Sequence, residues 1–113
     1  MFLKDGNIKE FGYEVSFSDF MNYVDEIREE GVSVDIHSNA ISTLVHFDQF
    51  DVGILEWKNN KRQLLLEDLT EQVCGIFINM KYITKVVRGI GFYADQFILI
   101  VQDNLMYRFI VEC

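Results

Sequence analysis

Proline is absent from this 113-residue chain, and cysteine and histidine occur only twice each. Without proline, and with half of its residues apolar, the chain is excluded from the disordered and linker-rich classes. Its two thiols, Cys74 in an apolar run and Cys113 at the last position, make no disulfide framework. They read as a core thiol and a tail thiol in a reducing cytoplasm. No Cys/His spacing suits a metal, and no cofactor is expected. Long hydrophobic runs are missing as well. The longest, VCGIFI (73–78) and FILIV (97–101), fall far short of the ~20 residues that cross a bilayer. The start, MFLKDGNIKE, has no basic stretch followed by an apolar one, which predicts no signal peptide. Nucleotide-binding and nucleophile-elbow fingerprints are absent too, so a non-enzymatic protein is expected.

Basic residues are scarce, and unevenly so. Residues 1–57 carry twelve Asp/Glu against three Lys/Arg, whereas residues 58–113 carry six against seven. The net charge of −8 therefore belongs to the first half. Phosphate backbones would be repelled by it, which argues against direct nucleic-acid binding. The acidity bears on partners and encounter rates rather than on fold.

What is present is periodicity. In SFSDFMNYVDEIREEG (16–31), Phe17, Phe20, Met21, Val24 and Ile27 recur at three- and four-residue intervals and predict one apolar helical stripe. Ser16 with Asp19 supplies the cap and Gly31 the stop. Asp19, Asn22, Glu26, Glu29 and Glu30 fall on the opposite face, and Asp25 flanks them within reach of Arg28.

The period then changes to two. Val32, Val34 and Ile36 pair with Phe47, Val45 and Thr43 if Asn39-Ala40 forms the turn, which puts the apolar residues of both strands on one face. The other face holds Ser33, Asp35, His37, Ser42 and His46. His37 and His46 then lie roughly 13 Å apart, too far to share a metal, while Asp35 reaches His46 diagonally.

A second hairpin turns at Asn59-Asn60, with Leu55 facing Leu64 and Trp57 facing Arg62. A third, turning at Asp103-Asn104, is apolar on both faces, as central strands are. Between them, a short helical turn at 69–74 begins at Asp68 and is followed by strands. RGIG (88–91) reads as a turn or bulge.

The stretch FLKDGNIKEFGYEVSFSDFMNYV loosely resembles the first half of Sm-like RNA-binding proteins, in which a D-x-F-M-N element holds a base. That resemblance implies Asp19, Met21 and Asn22 at a base pocket on a strand-loop-strand. The helical periodicity instead sends Met21 into a core and leaves Asn22 exposed.

These patterns predict a single α+β domain over residues 1–113. Its core is an antiparallel sheet of about six or seven strands, built from hairpins, with the N-terminal amphipathic helix packed on it. Function is expected in the acidic face. Asp19, Glu26, Glu29 and Glu30, joined by Asp48 and Asp51 of HFDQFD and anchored by Phe50, would bind a basic partner such as a nuclease or other nucleic-acid-binding protein. Immunity and anti-defence inhibitors of bacteria and phages share this short, acidic, motif-free profile. The alternative is a small-ligand-binding or structural oligomer, including a homodimer.

Overall fold

The structure is a computed structural model that describes residues 8–38, 41–70, 75–102 and 105–112. A single helical turn, α1 (Ile8–Phe11), leads into β1 (Gly12–Val15) and then the main helix α2 (Phe17–Ile27). Strands follow in succession: β2 (Val32–His37), β3 (Ser42–Phe47), β4 (Phe50–Glu56), β5 (Arg62–Asp68), β6 (Gly75–Asn79), β7 (Ile83–Gly89), β8 (Gln96–Val101) and β9 (Leu105–Val111). Six form one antiparallel sheet in the order β1-β7-β8-β9-β2-β3, and β4-β5-β6 form a second. The expected α+β class and sheet size hold; the separate three-stranded sheet is the addition.

Helix α2 forms where its periodicity predicts. The Ser16 hydroxyl accepts the Asp19 N–H at 3.1 Å and the Asp19 carboxylate accepts the Ser16 N–H at 3.3 Å, a reciprocal capping box. Phe20, Val24 and Ile27 are buried, while Phe17 and Met21 pack at the rim of the same cluster. The helix stops differently from expectation. It ends at Ile27, and the positive φ (69°) falls on Glu29 rather than on Gly31. The chain must turn there because the main chain at 29–30 bonds to Phe50.

One core joins α2 to both sheets. Phe20 lies 6.0 Å from Phe97 and 5.2 Å from Phe109, Phe109 lies 5.9 Å from Phe50, and Phe50 lies 5.5 Å from Phe47. On the far side of the six-stranded sheet, Phe11 stacks on Tyr93 at 4.8 Å and covers Val87, Ile98 and Met106. Strands β8 and β9 are thus covered on both faces and sit centrally, as their sequence predicts.

The β2–β3 register is the predicted one: Val32↔Phe47, Val34↔Val45 and Ile36↔Thr43. The β4–β5 register is not. Ile54 faces Leu64, Leu55 faces Gln63 and Glu56 faces Arg62. The connection has three residues, Lys58–Asn60, closed by the Trp57 N–H on the Lys61 carbonyl at 2.8 Å, with Asn59 and Asn60 both at positive φ. One extra loop residue shifts every pairing by one. Residues 75–79 and 83–89 are strands, as preferred, while most of the predicted helical turn at 69–74, with Cys74, lies outside the described residues. So do Asn39-Ala40, Asp103-Asn104 and Cys113. Of RGIG, Arg88 and Gly89 continue β7, and the turn begins only at Gly91, with φ at +57°. Among the described residues, no helix is long and apolar enough to cross a membrane.

Candidate functional site

The acidic residues converge through the main chain. Beyond α2, Glu29 donates its N–H to the Phe50 carbonyl at 2.8 Å, and the Phe50 N–H returns to the Glu30 carbonyl at 3.0 Å. Glu112 then donates its N–H to the Gly31 carbonyl at 2.9 Å, extending the β2–β9 pairing that sets Val32 against Val111. Three segments distant in sequence thereby meet at one edge. Asp25, Glu26, Glu29, Glu30, Asp48 and Glu112 are all exposed there.

Two side chains bridge acids at this edge. Arg28 bonds Asp25 at 3.1 Å and Asp51 at 3.2 Å. The ring of His46 lies 2.9 Å from Asp48 and 3.2 Å from Glu112. Glu26, Glu29 and Glu30 make no ion pair in the structure's described residues, which leaves them as the open charges.

Of the seven residues expected to bind a partner, Glu26, Glu29, Glu30 and Asp48 come together. Asp51 lies beneath them, mostly buried and bound to Arg28. Asp19 is separate: it is spent in the capping box at the opposite end of α2, about 10 Å along the axis from Glu26. Phe50 requires a correction. It is 0% exposed, inside the aromatic core, and cannot anchor a partner. The bend at 48–49 restarts the strand alternation, so Phe47 and Phe50 both point inward. Glu112 was missed because only strand pairing brings it to this edge.

The bend is held by Asp68, which is 5% exposed. Its carboxylate accepts the main-chain N–H groups of Asp48 (2.8 Å), Gln49 (3.2 Å) and Thr70 (3.0 Å), and the Thr70 hydroxyl at 2.6 Å. The Thr70 hydroxyl foremost, then the N–H donors, outweigh burial and hold this carboxyl well below the usual range. The helical turn that Asp68 is expected to begin lies mostly outside the described residues.

The polar face of β2 and β3 carries a second cluster. Asp35 does not reach His46; it lies 2.9 Å from His37 on its own strand face and 3.0 Å from Arg108 of β9. The Ser33 hydroxyl contacts His46 Nδ1 at 3.3 Å and donates to Glu112, while His46 Nε2 meets Asp48 at 2.9 Å. A serine, a histidine and an aspartate in line invite comparison with a nucleophilic triad. Here the hydroxyl is buried and given to Glu112, so the set straps β2, β3 and the segment after β9 together. Among the described residues, no group of three or more His, Cys, Asp or Glu is placed to hold a metal.

The Sm-like base pocket is not formed. Asp19, Met21 and Asn22 lie on α2, with Met21 against the core. An open cleft of about 570 Å³ lies elsewhere, between the β4–β5 turn and residues 79–82, where Lys61, Arg62, Lys81 and Tyr82 meet three asparagines. A smaller one lies beside β1 and β7. Comparison of the chain with protein-family models, curated proteins and solved structures finds no match.

Proposed function

We propose that the chain is a non-enzymatic cytoplasmic binding protein whose acidic edge covers a basic, nucleic-acid-binding surface of a larger protein. One observation carries this reading: main-chain bonds at Phe50 and Gly31 gather exposed acids from three separate segments. Such a field accelerates encounter with a basic surface and disfavours direct contact with nucleic acid. An inhibitor of the immunity or anti-defence kind needs no chemistry beyond that.

The test is paired capture from the native host, with the wild-type chain and the triple variant Glu26→Lys/Glu29→Lys/Glu30→Lys as baits. A basic protein retained by the wild type, released at moderate salt and lost from the variant supports the reading. Equal retention by both contradicts it.

A second reading rests on the cleft at Asn59–Tyr82, whose three cations suit a small anionic ligand. Inorganic phosphate or pyrophosphate should then raise the unfolding temperature of the wild type and not that of Lys61→Ala/Lys81→Ala; no shift in the wild type removes it.

A further inference from the structure

Strand alternation splits the three-stranded sheet cleanly. Val52, Leu64, Leu66 and Ile78 are buried in the core. The opposite face carries Leu55, Leu65, Trp57 and Phe77, with the last two 54% and 55% exposed. Two contacts verify that these residues share a side. The Trp57 indole N–H donates to Gln63 at 2.8 Å, and a Cβ built on Gly75 would lie 3.2 Å from Leu65. A Cβ on Gly53 would meet nothing within 4 Å. Arg28 reaches Asp51 at one end of this face, while Trp57 and Phe77 stay open to solvent.

Its charges are ordered along the strands. At one end Asp51, already held by Arg28, pairs with Glu67, which is the open acid there; the apolar row Gly53–Leu65–Phe77 follows, then Leu55–Gln63–Asn79. At the other end stand Trp57 and, hydrogen-bonded to it, Lys61. A uniformly basic partner would be favoured at the first end and repelled at the second. An identical face turned end for end satisfies both.

We propose that this face binds a second copy of the chain, about a two-fold axis that lies between the sheets and runs across the strands. Glu67 then opposes Lys61 of the second copy, and Leu55 fills the open space over its Gly53. Sheets packed this way are aligned, with interdigitated side chains. Three short strands present only about 300 Å² in plan, well below the ~800 Å² per partner of a stable complex, so the dimer is weak. Of the acidic edge only Asp51, held by Arg28, borders this face, and the substitutions at Glu26, Glu29 and Glu30 leave it untouched, so the two surfaces can fail independently.

Trp57, the sole tryptophan, reports directly on the contact. In sedimentation equilibrium the mass should rise from monomer towards dimer as the concentration is raised, and Trp57 emission should shift to the blue along the same curve. Phe77→Asp should remain monomeric at every concentration with an unchanged circular dichroism spectrum. Trp57→Ser, followed by sedimentation alone, provides the same test should Phe77→Asp not fold. Glu67→Lys and Lys61→Glu should each weaken association about tenfold, and their combination should restore it. A wild type that stays monomeric throughout, or a dimer indifferent to Phe77→Asp and Trp57→Ser, overturns the proposal. Failure of the combined variant to recover overturns the end-for-end arrangement.

Discussion

Glu29 holds φ at 69° while its N–H donates to the carbonyl of Phe50 at 2.8 Å. That bond fastens the end of α2 to the start of β4 and sets two glutamates beside the 48–51 segment. A left-handed conformation costs a non-glycine residue about 1–2 kcal/mol, so the site is strained to make the connection. Glu29→Gly is expected to stabilise the fold by about 0.5–1 kcal/mol, the relief of strain being partly offset by a more flexible unfolded chain. Urea unfolding checks this; a loss of stability would show that the Glu29 side chain contributes to folding.

Phe50, expected at the surface, belongs to the aromatic chain that links Phe47, Phe109, Phe20 and Phe97. Phe50→Ala should cost about 3–5 kcal/mol, the range for a large aromatic removed from a packed core. A loss below about 1 kcal/mol would place the residue outside the core.

Asp68 makes acid stability local. Its carboxyl is held below the ordinary range in the fold, so the stability it contributes is complete above the unfolded value of about 3.9 and falls away as pH drops towards the folded one. Asp68→Asn should unfold at lower temperature at neutral pH, and its loss of stability below about pH 4 should be shallower than that of the wild type. Parallel pH profiles for the two proteins would remove Asp68 as the cause.

Tyr23 acts at the other extreme. It stacks on Phe97 at 4.4 Å and donates to the Asp95 carbonyl, and burial foremost, then Asp95, pushes its hydroxyl up to about 12 from the ordinary 10.0. A raised value means stability that is complete below about pH 10 and is lost as pH climbs towards about 12. Tyr23→Phe should lose less stability than the wild type over that window, as read by thermal unfolding at successive pH values.

The legible parts of the sequence were those where two local patterns had to agree. Val34 against Val45 followed because both strands alternate and only one register aligns their apolar faces. Ser16 and Asp19 marked the helix start because both halves of the cap lie within one turn. The misread parts depended on a loop length or a distant pairing. Two asparagines announce a turn, yet they leave open whether it has two residues or three, and that one residue moved Leu55 to the outer face. Phe50 alternates with acids in HFDQFD, and the pattern hides the bend that turns it inward. Of the acidic site, Glu26 stands on the helix as its spacing predicts, whereas Glu29 and Glu30 lie past the helix end at Ile27 and reach the edge through their main-chain bonds to Phe50. Glu112 joined them only through β9, a contact without local signal.

The proposed role of the acidic edge is tested most directly by association kinetics with a basic host protein recovered in the paired capture. Stopped-flow rates should be compared for the wild type and Glu26→Lys/Glu29→Lys/Glu30→Lys at low and high ionic strength. The account predicts a variant slower by about tenfold or more at low salt, with the gap closing as salt screens the field. Equal rates at both ionic strengths would contradict it.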